Sequence, residues 1–245
     1  MPRFFVNRES ISEGNIIIVG DDAYHIARSL RMAVGDEITV SDGEGEEYLC
    51  ELMKIRDEEC ECRVIKKSAA ESELPVAVTL FMAYPKGDKL ETVIQKAVEL
   101  GARVIVPFES SRCIKKPKAE KAEKQLQRLS KIAAEAAKQS GRAILPEVSP
   151  ALSFKEMLAK VKEYDKAIFC YESEREVSLG KILDDTGKGE KIAVIVGSEG
   201  GFSPEEAELA VNAGCISVSL GKRILRCETA PLFVLSAIGY HFELR

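Results

Sequence analysis

The seven cysteines of this sequence form no Cys-x-x-Cys pair, and only two histidines, His25 and His241, could supplement them. A structural zinc site draws four ligands from clustered positions, so no metal is expected. Cys50, Cys60, Cys62, Cys113, Cys170, Cys215 and Cys227 are scattered along the chain. Reduced, mostly buried thiols fit a reducing compartment. No apolar run reaches the length that crosses a bilayer, and residues 1–8 lack the apolar stretch and small-residue cleavage site of a signal peptide. A cytoplasmic location with no membrane partner is therefore expected. The dinucleotide fingerprint Gly-x-Gly-x-x-Gly and the phosphate loop Gly-x-x-x-x-Gly-Lys-Ser/Thr are also missing, which disfavours a nucleotide-dependent oxidoreductase.

What is present is an ordinary globular composition of 245 residues, 45% hydrophobic and 31% charged. That length allows one large domain, or a small domain and a medium one. The net charge is −5, but it is unevenly spread. Between Arg112 and Arg142 stand ten Lys or Arg and three Glu. A concentrated positive field of this kind attracts phosphate even when the whole chain is acidic. A solvated, lysine-rich helix face is the blander reading, and charge alone favours it.

Residues 1 to about 70 read as short strands and turns, with strands near 37–40, 47–56 and 59–67 and one helix over 21–32. Cys60, Cys62 and Val64 alternate with Glu61, Arg63 and Ile65, the period of a half-buried strand. A small β-barrel is expected. Residues 68–75 lack periodicity and make a linker, giving domains at 1–72 and 73–245. After Pro75 short apolar strands (76–82, 104–106, 144–148, 166–171, 191–196, 216–220) alternate with amphipathic helices, among them 86–100 and 118–139. Gly101 stands at a helix C′ position. Ser203, Pro204 and Glu206 stand at N-cap, N1 and N3 of another helix. Such alternation implies a parallel sheet covered by helices, an α/β domain.

Ligands of parallel sheets collect at the carboxyl ends of strands. Gly197-Ser198-Glu199-Gly200-Gly201-Phe202 follows one strand, and Leu220-Gly221-Lys222-Arg223-Ile224-Leu225-Arg226-Cys227-Glu228-Thr229-Ala230 follows another. If these are adjacent strand ends, glycine backbone and the apolar Val196, Leu220, Ile224 and Leu225 flank one crevice, which suits a phosphate-free adenosine-type ligand. Ordinary turns are the plainer reading.

The segments Gly197-x-Glu199-Gly200-Gly201-Phe202-Ser203 and Leu220-Gly221-x-Arg223-Ile224-Leu225-Arg226-x-Glu228-Thr229-Ala230 resemble the signature pair of the RsmE family, 16S rRNA uridine-N3 methyltransferases of the SPOUT class. Pro2-Arg3-Phe4-Phe5, His25 with Leu30-Arg31-Met32 and Gly35-Asp36, Lys86-Gly87-Asp88-Lys89, Gln95-Lys96-Ala97-x-Glu99-Leu100-Gly101 and Glu135-Ala136-Ala137-x-Gln139-Ser140-Gly141-Arg142 match further family segments in order. The chain departs from the family at Ser198, where Pro is usual; this relaxes the loop's backbone restriction. The resemblance implies a PUA-like β-barrel over 1–72 and, over 73–245, a SPOUT-type α/β domain closed by a C-terminal trefoil knot and paired as a homodimer. It implies S-adenosylmethionine as cofactor, held by Tyr171, Val196, Gly197, Glu199, Gly200, Gly201, Leu220, Gly221, Ile224, Leu225, Thr229 and Ala230. It implies 16S rRNA, free or in the 30S subunit, as substrate.

Methylation at N3 of uracil requires loss of the imide proton, and charge then grows on O2 and O4. Arg226 and Arg142 are candidates to stabilise it, although Arg142 could serve only as a phosphate contact. Glu228 could accept the proton or orient an arginine, or simply gain from the dipole at a helix start. Arg3, Arg8, Arg28 and Arg31 are candidate phosphate contacts, in a segment where residues 1–72 carry nine basic and sixteen acidic side chains. His25 and His241 read as structural. A SPOUT enzyme acting on another RNA, and an RNA-binding protein that retains the pocket without activity, are the alternatives.

Overall fold

The computed structural model describes residues 1–114 and 122–245. Lys115, Lys116, Lys118 and Lys121, four cations of the basic segment, lie outside the described residues, as does the start of the helix expected over 118–139. The chain divides into two compact units, 1–73 with 137–145, and 74–136 with 146–245. No described helix is long and apolar enough to cross a membrane.

In the first unit the strands are β1 (Arg3–Phe5), β2 (Ile11–Ser12), β3 (Asn15–Val19), β4 (Glu37–Ser41), β5 (Glu46–Ile55) and β6 (Glu59–Ala69), joined in the order β1-β4-β5-β6-β3-β2. Alternation decides which side chains enter the core. Ile16 and Ile18 of β3 lie opposite Cys62 and Cys60 of β6, and all four are buried. Two register shifts along β5 and β6 add local twist and curl the sheet. The strands read as a barrel thus form a curled sheet with an open hydrogen-bonded path. The helix expected over 21–32 is shorter: α1 (Asp21–Tyr24) widens into a π turn over His25–Ser29. Arg31 follows at φ 52, a left-handed conformation that cannot continue a right-handed helix.

Residues 137–145, expected with the second domain, pack with the first unit. The carboxylate of Glu73 gathers them: it accepts the backbone N–H groups of Ala143 and Ile144, each at 3.0 Å, and the Arg142 guanidinium at 2.6 Å. The Ser41 hydroxyl donates to Ala143 O at 2.6 Å, and Leu145 N donates to Gly43 O at 3.0 Å.

The second unit alternates as expected: β7 (Ala77–Ala83), α2 (Lys89–Glu99), β8 (Val104–Glu109), α3 (Ala122–Ser140), β9 (Glu147–Val148), β10 (Leu152–Ser153), α4 (Phe154–Lys160), β11 (Lys166–Cys170), α5 (Leu179–Asp184), β12 (Lys191–Val196), α6 (Pro204–Asn212), β13 (Ile216–Val218) and α7 (Thr229–Gly239). The last turn of α3 belongs to the first unit. Every pairing in the sheet is parallel, in the order β10-β8-β7-β12-β11-β13 with β9 beside β8. The central β7 and β12 are buried along almost their whole length, as strands covered on both faces must be.

Gly101 ends α2 at φ +93, and a Cβ built there would lie 2.5 Å from Leu74 Cδ1. Gly101→Ala is expected to lower stability by about 1–2 kcal/mol through the left-handed backbone alone. Urea unfolding checks this: the midpoint should fall with an unchanged slope.

Candidate active site

Because the strands are parallel, β11, β12 and β13 all release their chains at one edge of the sheet. A cavity of about 470 Å³ opens there, lined by Cys170 to Glu172, Arg175, Val196 to Phe202, Ser219 to Gly221, Arg223 to Cys227 and Ala230. The two glycine-bearing loops do face one crevice, but their strands are not neighbours. β11 runs between β12 and β13, so Cys170, Tyr171 and Glu172 separate the two walls. Chain order could not reveal this insertion.

The 197–202 wall is built on a tight turn, closed by Gly201 N donating to Ser198 O at 2.9 Å. Gly201 has φ +63, and a Cβ would press on the Glu172 carboxylate. At Gly200 a Cβ would sit 2.8 Å from Arg112 Cβ, and Arg112 Nη1 donates to Gly200 O at 3.0 Å. Both glycines are therefore demanded by the protein's own packing. Ser198 is buried and its hydroxyl lies 3.5 Å from Arg112 O. The ring of Phe202 anchors the loop from below: it lies 4.3 Å from Phe169 and 6.3 Å from both Phe108 and Phe154. Beyond it, α6 opens with the expected capping box of Ser203 and Glu206 and with Pro204 in the first turn. The buried Glu206 also accepts Ser111 N at 2.7 Å.

In the second wall, Ile224 is 75% exposed. Arg226 is exposed, and none of the described carboxylates pairs with it. Its carbonyl accepts Thr229 N and Ala230 N at 2.8 and 2.9 Å, which starts α7. Glu228 is the N-cap residue, as expected of a helix start, but its side chain caps nothing. Its Oε2 instead accepts the Cys227 thiol at 3.1 Å and lies 3.1 Å from Lys89 Nζ. The thiol first, and the ammonium after it, hold the Glu228 carboxyl below its ordinary range. Burial, helped by Glu228, pushes the Cys227 thiol up to about 12. Glu199 also lies below its ordinary range: burial opposes ionisation, but its own N–H, the Lys89 ammonium and the Lys86 N–H outweigh it.

Of the residues expected around a cofactor, Tyr171, Val196, Gly197, Glu199, Gly200, Gly201, Leu220, Gly221, Ile224, Leu225 and Ala230 line the cavity, and Arg226 joins them. Thr229 is exposed outside the lining, and Glu228 stands just behind it. Arg142 is not a lining residue: it belongs to the first unit, is 3% exposed, and is held by Glu73. Arg3 pairs with Glu47, Arg8 with Asp42 and Glu44, and Arg28 with both oxygens of Asp57. Of these four arginines, the exposed Arg31 alone has no carboxylate partner among the described residues. His25 lies edge-on to Phe4 with its ring 6.5 Å away, and His241 lies 3.8 Å from Asp184. All seven thiols are free and buried.

Sequence reasoning missed Lys89, Glu172 and Arg112 as parts of the site. Lys89 did stand in the segment Lys86-Gly87-Asp88-Lys89, so a signal existed, without a role. The pairings of Glu172 and Arg112 with the glycine turn join residues far apart in the chain, and no local pattern carries them.

Residues 72–239 match the family model described as an RNA methyltransferase domain, and residues 18–65 match the RNA methyltransferase PUA domain. The ribosomal RNA small subunit methyltransferase E of Bacillus subtilis is 38% identical over 251 aligned positions, covering 100% of this chain and 98% of that protein. The protein of the same name from Synechocystis is 34% identical, covering 98% of this chain and 78% of its own length. The crystal structure of the Neisseria gonorrhoeae ribosomal RNA small subunit methyltransferase E bound to S-adenosyl methionine superposes with a TM-score of 0.85 at 33% identity, covering 98% of this chain and 97% of that one. With two domain models matched in order and likeness along its whole length, this chain belongs to the ribosomal RNA small subunit methyltransferase E family.

Proposed function

We propose that this protein transfers the methyl group of S-adenosylmethionine to N3 of a uridine in 16S rRNA, acting in the cytoplasm as a homodimer whose methyltransferase domain is closed by a trefoil knot. The observation that carries the reading is that the Glu199-Gly200-Gly201 turn and the 224–226 stretch form two walls of one cavity. Its volume is within the range of small-molecule sites, and its surfaces suit a phosphate-free adenosine group. Gly197, Gly200, Gly201 and Gly221 let a ligand approach the backbone without a side chain in the way, while Val196, Leu220, Ile224, Leu225 and Ala230 offer apolar packing. When bound there, S-adenosylmethionine supplies an already activated sulfonium methyl.

The protein's own part is then orientation and charge. Holding acceptor and donor in line is itself a large share of the acceleration. Arg226, exposed at the cavity and unneutralised, meets the negative charge that grows on O2 and O4 of uracil. Glu228 is already ionised and held by Cys227 and Lys89. A carboxylate with a lowered pKa is a weak proton acceptor, so Glu228 serves orientation. Of the four candidate arginines, Arg31 has no carboxylate partner among the described residues and is open to an RNA phosphate, whereas Arg3, Arg8 and Arg28 must first leave carboxylates. The target uridine must be splayed out of its RNA to reach such a cavity.

Calorimetry with S-adenosylmethionine is expected to give one saturable site per chain, with no heat from NAD. Mass-spectrometric mapping of 16S rRNA from cells lacking the protein is expected to show one uridine without its methyl group. Purified protein should restore it on isolated small subunits. Binding without any restored methylation would favour an RNA-binding role, and restoration on a different RNA would move the acceptor.

A further inference from the structure

Lys89 is the first residue of α2 and does not line the cavity, yet it touches both of its walls from behind. Its ammonium lies 3.1 Å from Glu199 Oε1 in the 197–202 loop and 3.1 Å from Glu228 Oε2 at the start of α7. The surroundings are specific. The Lys86 N–H donates to both Glu199 oxygens at 3.1 and 3.2 Å. The Cys227 thiol donates to Glu228, and its sulfur lies 4.0 Å from the ammonium. About a third or less of each charged side chain is exposed, so solvent screens the group only in part. Two carboxylates brought to one cation repel each other once that cation is gone.

We propose that Lys89 is a positioning residue that ties the 197–202 loop to the 223–228 segment and so fixes the separation of the two walls that grip S-adenosylmethionine. An ammonium has three N–H donors on one atom and can serve both carboxylates at once; a neutral side chain of the same length cannot. The inference rests on the methyltransferase reading above. It assigns Lys89 no contact with cofactor or RNA, so its loss should act on cofactor capture and far less on the chemical step.

The test compares full-length wild type with Lys89→Met, Lys89→Arg, Glu199→Gln and the double variant Lys89→Met/Glu199→Gln, by S-adenosylmethionine calorimetry and steady-state methylation of small subunits. Lys89→Met is expected to raise Kd and KM for the cofactor by about tenfold, while kcat at saturating cofactor changes by less than about threefold. Lys89→Arg, which keeps the charge and reaches two acceptors, should return KM to within about threefold of wild type. Glu199→Gln should cost less in the Lys89→Met background than alone, because the pair it breaks is already gone. Unchanged KM in Lys89→Met, equal impairment of the Met and Arg variants, or a fall in kcat at constant KM would each overturn the proposal. If Lys89→Met does not fold, Lys89→Gln takes its place. A wild type that binds no S-adenosylmethionine sinks the methyltransferase reading itself, an outcome visible before any variant is measured.

Discussion

Arg226→Ala is expected to lower kcat for methyl transfer by about two to three orders of magnitude, the effect of losing a donor aimed at developing charge. Cofactor Kd should stay within about threefold, since the change removes an interaction made only in the transition state. The expectation follows from what surrounds the side chain. Of the other cations near this cavity, Arg112 donates to Gly200 O, Arg175 to the carbonyls of Glu172 and Glu174, and Lys89 to two carboxylates, while Arg223 is an exposed lining residue like Arg226 and stands three positions earlier, farther from the Glu228 helix start. Arg226 is exposed at the lining with no carboxylate partner among the described residues. An unneutralised guanidinium keeps its full field for an incoming anion, whereas a paired one must first break its pair. Single-turnover methylation of small subunits, with calorimetry on the same preparation, separates the two quantities. Equal losses in rate and cofactor affinity would show that Arg226 belongs to the cofactor wall. Arg226→Lys should recover only part of the rate, because a point charge cannot present the planar fork of a guanidinium to a uracil edge.

The parts that sequence made legible were those fixed by local rules. The apolar run at 191–196 became β12 with the same bounds, and the Ser203, Pro204, Glu206 cap opened α6 where its spacing required. Ser153 and Glu156 form a second capping box at α4 that the same spacing rule could have found. The illegible parts depend on which distant segments meet. Nothing near Arg142 foretold that Glu73, 69 residues earlier, would take its charge. The insertion of β11 between β12 and β13 is a matter of strand order, on which hydrophobic period is silent. The helix expected over 21–32 is cut short for a third reason: the backbone widens into a π turn over His25–Ser29 and turns left-handed at Arg31. The glycine loops suggest a crevice, but ordinary turns are the plainer reading of them, and the resemblance tips the balance.

Phe202→Ala should strongly destabilise the second unit. Phe202 is 1% exposed, and its ring meets Phe169 of β11, Phe108 of β8 and Phe154 of α4. Removing it leaves a void walled by three rigid rings on separate elements, which cannot collapse inward without moving strands. The cost falls at about 3–5 kcal/mol, transfer and cavity contributions together. That is a large part of the stability of a typical domain. The same ring holds the end of the Gly200-Gly201 turn, so loss of cofactor affinity should accompany loss of stability. Phe202→Leu retains most of the volume and should cost less than about 1.5 kcal/mol, since Leu fills the site with a different shape and little void. Urea unfolding followed beside S-adenosylmethionine calorimetry tests both statements at once. If Phe202→Ala unfolds at the wild-type midpoint, the aromatic cluster is not what supports this wall. If it unfolds early but binds cofactor normally at low temperature, the turn is held by Arg112 and Glu172 without help from below.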